Sequence, residues 1–283
     1  MTYNISSDQL QHPLLKPILN ELAAYFSKSG IHFYVIGATA RDILMHMHNE
    51  KSGRATLDLD IAIAISDWER YKEVEKGILE IEGFSKDKSQ QQRFRYLKIL
   101  PLDIVPFGEI MQQDDKIFWP PDEHIAMSVL GFREVSLATQ QVKVDDDFSV
   151  EIASLVGIFL LKIVAWSERH ISGNKDADDI GFILNIYLSI NQNRAIEKHT
   201  DLYTDDEFDT RTAGARLLGR DLAELLKESE KVKQKILLIL QTELKLAEES
   251  RLINQIIETN KSFKYSTAYK CIEYLYIGLN KDL

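Results

Sequence analysis

Two aspartates interrupt an otherwise apolar stretch, "TLDLDIAIAI" at residues 56–65. Read as a strand, the stretch alternates faces. Leu57, Leu59, Ile61, Ile63 and Ile65 share one side, and Thr56, Asp58, Asp60, Ala62 and Ala64 share the other. The two carboxylates then stand about 6.5–7 Å apart along the backbone and raise one another's pKa when nothing neutralises them. A divalent cation between them removes that cost, and Mg²⁺ accepts carboxylate oxygens together with phosphate oxygens and water. Two such ions about 3.5–4 Å apart form a clamp for in-line phosphoryl chemistry. The plain alternative is an edge strand with a solvated acidic face.

Three other segments carry chemistry of the same kind. In "VIGATARD", residues 35–42, a short strand runs into Gly37 and Ala38 and a helix starts at once. Small residues let the backbone approach a ligand, and the first amides of a helix favour an anion. Thr39, near the expected N-cap, can cap the helix or touch a phosphate. Arg41 can bind phosphate or pair with an acidic neighbour. A tight strand-to-helix turn explains the same residues. In "PLDIVPFG", Asp103 sits among apolar neighbours, and a buried carboxylate needs a metal, a cation or hydrogen bonds. It either joins Asp58 and Asp60 as a third ligand or pairs with Arg93 or Arg95 across a hairpin. In "SLVGIFLLKIVAWSERH", Lys162 lies in a helix that is apolar nearly all round. A buried ammonium there faces a phosphate or pairs with Asp176 or Asp179 of "NKDADDI". Other candidates carry less. His46 and His48 fall on different sides of a helix, "FWPPDEH" reads as a rigid turn, and the acidic triplet 145–147 reads as a solvated turn.

The elements that must position these groups divide the chain. Helices are expected over residues 8–28, 39–48 and 67–81, the last capped by Ser66 or Asp67. Strands are expected at 31–36 and 56–65, as a pair around a turn at Pro101, and as a second pair from Phe132 to Ser154 joined by the acidic triplet. Beyond residue 154 only helical patterns follow, at 154–169, 176–190, 214–227, 229–258 and 264–279. The long Lys- and Glu-rich segment among them fits an amphipathic bundle helix better than a coiled coil. The expected fold is therefore α+β. A small mixed sheet with flanking helices fills residues 1–150, and a helical domain fills residues 151–283.

Composition sets the outer limits. The 283 residues are 45% hydrophobic and 28% charged, enough for a real core. One cysteine excludes a disulfide framework and a cysteine-based zinc site. The polar N-terminus and the absence of a membrane-length apolar run point to a cytoplasmic protein without a membrane partner. A net charge of −10 argues against broad nucleic-acid binding through a basic surface, though not against a local basic patch.

In order and placement, Gly-Ala before a helix, Asp-x-Asp on a strand and a lone Asp on a later strand resemble the nucleotidyltransferase superfamily typified by DNA polymerase beta. "IGATARDIL", "ATLDLDIAIAI", "LDIVPFGEI", "WPPDEHIAMSVLGFREV", "ASLVGIFLLKIVAWSER" and "KDADDIGFIL" resemble its AbiEii/AbiGii toxin type, from about residue 31 to 187. The resemblance implies a cleft between the sheet and the helical domain, which completes the nucleotide site and the acceptor side. It implies that Asp58, Asp60 and Asp103 hold two Mg²⁺ ions, with Mn²⁺ as an alternative, and that Asp103 helps deprotonate the attacking hydroxyl. Gly37, Ala38, Thr39 and Arg41 would serve the triphosphate, and Lys162, with Asp176 and Asp179 beside it, the nucleotide phosphates. Ala38 departs from the usual Gly-Gly or Gly-Ser, so Thr39 or backbone amides must replace a serine hydroxyl. The implied substrate is an NTP, and the implied acceptor hydroxyl lies on tRNA, another RNA or a small molecule, including an aminoglycoside-type one. The toxin branch further implies an antitoxin protein as partner. A nucleotide-binding module without turnover is the alternative of a different class.

Overall fold

The computed structural model describes residues 2–51, 58–121, 126–204 and 207–280. Thr56 and Leu57, and residues 122–125 of the Trp-Pro-Pro loop, lie outside the described residues. In chain order the first part contains β1 (Thr2–Ile5), α1 (Leu15–Ser29), β2 (Phe33–Ile36), α2 (Gly37–Met47), β3 (Leu59–Ile65), α3 (Trp68–Leu79), β4 (Phe84–Lys86), β5 (Arg93–Tyr96), β6 (Leu100–Gly108), β7 (Lys116–Phe118), β8 (Ala126–Ser128), α4 (Phe132–Ser136), β9 (Thr139–Val144) and β10 (Phe148–Ala153). The remainder is helical: α5 (Leu155–Arg169), α6 (Lys175–Ile190), α7 (Gln192–Lys198), α8 (Thr210–Leu225), α9 (Glu230–Leu246), α10 (Arg251–Thr259) and α11 (Tyr265–Leu279). The fold is α+β, a mixed sheet with helices followed in the chain by a helical region. It divides into two compact units, Met1–Ile158 and Phe159–Leu283. Among the described residues no helix is long and apolar enough to cross a membrane.

The sheet of the first unit has eight strands in the order β1-β9-β10-β2-β3-β6-β5-β4. The alternation expected around the two aspartates holds. Leu59, Ile61 and Ile63 are fully buried while Asp60 is partly exposed, because β3 is paired on both sides and one of its faces must enter the core. Asp67 caps α3 by accepting a hydrogen bond from the Arg70 amide at 2.8 Å, as its type and place suggest. Gly30, at φ 66°, ends α1 in the left-handed cap.

Several boundaries differ from the sequence expectation for identifiable reasons. A helix from residue 8 would need amides from Pro13 and Pro17, which have none, and α1 begins at Leu15. α2 opens at Gly37, two residues early, so Thr39 lies inside the helix and does not cap it. The turn expected at Pro101 lies instead at residues 97–99, where Leu97 and Lys98 take left-handed φ of 50° and 60°. Pro101 is the second residue of β6, ahead of the first β3–β6 pair at Leu102, so its missing amide breaks no bond to β3. The strand expected from Phe132 begins at Thr139, and the intervening residues coil into α4. The helix expected over 229–258 is broken. Ser250 is fully buried, accepts from the Ile253 amide and donates to Glu243, whose carboxylate also takes the Leu252 amide. Those bonds end α9 and start α10.

In the helical unit, α8 and α11 approach at glycines. A Cβ on Gly219 would stand 2.3 Å from the Leu275 carbonyl oxygen, and one on Gly278 would stand 2.3 Å from that of Arg216. The neighbours are backbone and cannot yield. Gly278→Ala is expected to cost about 1–3 kcal/mol in urea unfolding. Gly173→Ala, with nothing within 4 Å of the added carbon, is expected to stay within about 0.5 kcal/mol. Equal midpoints for the two variants contradict this packing.

Candidate active site

One rung of the sheet collects the groups that matter. β2 pairs Ile36 with Asp60 of β3, β3 runs parallel to β6 with Asp60 opposite Asp103, and β5 places Arg93 opposite Asp103. Adjacent strands lie about 4.8 Å apart, so two carboxylates are forced side by side. Arg93 answers that charge. Its Nε donates to Asp103 Oδ1 and its Nη2 to Asp103 Oδ2, both at 2.7 Å, in a two-pronged ion pair whose side chains are mostly shielded from solvent. The hydrogen bonds to Asp103 hold the Arg93 guanidinium above its ordinary pKa against the opposing effect of burial, and the charges of Asp58 and Asp60 add to this.

The pairing of Asp103 with Arg93, one of the two alternatives for this carboxylate, is thus realised. Among the described residues no three acidic, histidine or cysteine side chains form a ready-made metal cluster. The donors nevertheless suit a hard divalent cation. They are all carboxylate oxygens, and each Asp103 oxygen spends one lone-pair direction on Arg93 and retains another. Asp58 lies in the bend just before β3 and is partly exposed, one residue beyond the strand that was expected to include it.

The start of α2 is shaped around Asp60. Gly37 follows Ile36 with φ 66°, and a Cβ there would fall 2.4 Å from Asp60 Oδ2. Only glycine allows that carboxylate to lie against the helix start. Gly37 and Ala38 are half-buried, and the N-cap position, Ile36, supplies no side-chain cap. Thr39 and Arg41 are placed otherwise than as open phosphate contacts. Thr39 is 2% exposed, and its hydroxyl donates to the Asp58 carbonyl at 3.1 Å, so it fixes the approach to the acidic strand. Arg41 is 1% exposed, and its Nε and Nη2 donate to Asp42 Oδ1 at 3.0 and 2.9 Å. Of its two possible roles, the structure holds the acidic pairing.

Lys162, Asp176 and Asp179 come together within the helical unit. Lys162 Nζ lies 2.6 Å from Asp179 Oδ2 and 3.2 Å from Asp176 Oδ1. Arg169, one heptad after Lys162, grips Asp176 through Nε at 2.6 Å and Nη2 at 2.8 Å. Two cations and two carboxylates therefore balance between α5 and α6. Burial opposes the charged ammonium of Lys162, but Asp179 and Asp176 outweigh it and raise its pKa. Burial likewise opposes the charged form of Asp176, and Arg169 with Lys162 reverses the sign and lowers its pKa. The acidic triplet 145–147 forms the expected turn, with Asp146 and Asp147 exposed. Lys16 bridges Asp145 and Asp147, each at 2.8 Å, and the Ser7 amide donates to Asp145.

With fold and site described, the comparisons give first a class, that of nucleotidyltransferases. A family model described as "Nucleotidyl transferase AbiEii toxin, Type IV TA system" matches residues 20–258, and the chain belongs to that family. No curated protein matches it. Among solved structures it is similar to an antigenic nucleotidyltransferase-like protein from Paracoccidioides brasiliensis, at 16% identity and a TM-score of 0.43, over 74% of this chain and 94% of that one. It is also similar to the Elizabethkingia meningoseptica CdnE cyclic dinucleotide synthase, whose structure holds GTP and Apcpp, at 12% identity and a TM-score of 0.29, over 98% and 94% of the two chains.

Thr39 gains a positioning part that its residue type alone did not assign, and Arg93 takes the pairing with Asp103 that was one of the expected alternatives. Arg93 had a signal, since "RFRY" alternates buried Phe94 and Tyr96 with two arginines beside an acid-bearing strand. Gly37→Ala is expected to lower stability by about 1–3 kcal/mol, from the positive φ and the collision with Asp60; a thermal or urea melt checks it. Asp176 offers a pH test. Its folded pKa lies below the unfolded value of about 3.9, so its contribution is present above that value and is lost as pH falls through the folded one. The gap in urea midpoint between wild type and Asp176→Asn is therefore expected to be widest near neutrality and to narrow as pH falls below about 3.9.

Proposed function

We propose that this chain transfers a nucleoside monophosphate from an NTP to a hydroxyl group on an acceptor and releases pyrophosphate. One observation supports this above the rest: Asp60 and Asp103 share a rung, with the Gly37 backbone packed on one and Arg93 locked to the other. Asp58, Asp60 and Asp103 would hold divalent cations, Mg²⁺ by their all-oxygen character. Bound there, the cations would neutralise charge on the phosphates and on the attacking and leaving oxygens.

The remaining work falls to the chain's own groups. The amides of Gly37 and Ala38, at the start of α2, favour the negatively charged phosphates. Thr39 holds the Asp58 carbonyl, and hence the segment leading into the acidic strand, in place. Arg93 fixes the Asp103 carboxylate. The acceptor oxygen forms a bond to the α-phosphorus as the bond between that phosphorus and the bridging α–β oxygen breaks. Pyrophosphate leaves with the bonding electrons, and the hydroxyl proton passes to a carboxylate oxygen of Asp103. For Lys162, Asp176 and Asp179 a part in nucleotide binding rests on the family resemblance alone. The same resemblance supports a toxin acting on RNA, held in check by an antitoxin.

Transfer from α-³²P-labelled NTPs to cellular RNA and to hydroxyl-bearing small molecules, with Mg²⁺, tests the reading. Asp60→Asn is expected to lose at least about 100-fold in rate, the scale of removing one preorganised charge-stabilising group. Arg93→Gln is expected to lose about 10- to 100-fold, as for a group that orients a ligand. Equal rates in wild type and Asp60→Asn overturn it.

A further inference from the structure

A cavity of about 240 Å³ in the sheet unit has aromatic walls. Trp68 and Tyr71 of α3, Gln91 ahead of β5, and Trp119 and Pro120 beyond β7 line it. The three rings stand 5.0–5.5 Å apart, centroid to centroid. Two hydrogen bonds tie these walls to the acidic rung. The Tyr71 hydroxyl donates to the carbonyl of Ile104, next to Asp103, at 3.4 Å. The Ile104 amide donates at 3.0 Å to the carbonyl of Gln92, which lies between Gln91 and Arg93. The cavity is therefore linked to the β6–β5 side of the rung, whereas Gly37 and the start of α2 belong to the β2 side.

Trp119 makes this cavity more than a packing gap. The residue is 4% exposed, and among the described residues its Nε1–H has no hydrogen-bond partner. A buried indole N–H normally finds an acceptor. An unused donor among three aromatic rings suits a flat unsaturated ring that carries its own acceptor atom. The volume lies below the roughly 300–1,000 Å³ of a drug-sized site, so a single ring system enters while the rest of its molecule stays outside.

We propose that this cavity binds the nucleobase of the acceptor, the partner whose hydroxyl gives its proton to Asp103. The proposal rests on the transferase reading above. A base offers a π face to the tryptophans and a carbonyl or ring nitrogen to Trp119 Nε1, and the Gln91 amide can give and take hydrogen bonds at its edge. Among the described lining residues Lys72, exposed at the rim, is the one cation and Glu75 the one acid. Recognition is thus carried by rings and not by phosphate pairing, which suits a chain of net charge −10. Its salt dependence is correspondingly shallow, at about one phosphate contact.

The test uses the full-length protein with ¹⁵N-labelled indoles, whose three tryptophan signals are assigned with Trp→Phe variants. The four nucleoside monophosphates and a single-stranded RNA tetranucleotide are titrated without NTP, into wild type and into Asp60→Asn. The expected result is a saturable shift of the Trp119 indole signal in both proteins with at least one probe. Trp68→Ala weakens that binding about tenfold, while Trp68→Phe retains most of it. A response to free nucleotides but not to the tetranucleotide supports a mononucleotide acceptor, and the reverse supports an RNA end. A Trp119 signal unmoved by all five probes at millimolar concentration, or an undiminished shift in folded Trp68→Ala protein, overturns the base site. The transferase reading is judged separately, by the activity of Asp60→Asn.

Discussion

Two carboxylates on neighbouring strands at one rung are the constraint around which the first unit is organised. At strand spacing and an effective dielectric of about 20, their repulsion is about 3–4 kcal/mol. That is a substantial part of the 5–15 kcal/mol that holds a typical domain together. A fold that keeps such a pair must bring positive charge or a cation to it. Arg93 brings the charge to Asp103 from the next strand. The start of α2 brings backbone amides beside Asp60, through a residue that has no Cβ. The opposite face of β3, with Leu59, Ile61 and Ile63 fully buried, keeps the strand in register against the repulsion. A slip of one residue would send the acids into the core and the leucine and isoleucines out of it.

The helical unit handles buried charge by a different route. Lys162 and Arg169 face Asp176 and Asp179, so that each burial cost is met by a partner within 3.2 Å. Such a network fixes how α5 and α6 meet more than it adds stability, because removing one member strands the others. The glycines at the meeting of α8 and α11 act on geometry too, by bringing backbones together where any side chain would hold them apart.

Much of this was legible in the sequence because the signals were local. Alternating apolar residues announced β3, and Asp67 and Gly30 announced helix ends. Lys162 in an apolar helix announced a buried partner, and the acids supplied two. What was hidden depended on register. Nothing local places Arg93 opposite Asp103 in preference to Arg95. The choice follows from the left-handed pair Leu97–Lys98, which closes the hairpin two residues before Pro101 punctuates the sequence. The break between α9 and α10 was hidden similarly, since Ser250 starts α10 with its hydroxyl held by Glu243, seven residues back in the chain. Thr39 read as a phosphate contact because its carbonyl partner, Asp58, is nineteen residues away in the chain.

The central claim is that this rung is a cation site completed by a nucleotide. Mn²⁺ binding, followed by electron paramagnetic resonance with a non-hydrolysable NTP present, tests it without any knowledge of the acceptor. The account predicts saturable Mn²⁺ uptake by the wild-type protein and an affinity at least about 10- to 100-fold weaker in Asp60→Asn. Identical Mn²⁺ binding by the two proteins would contradict it.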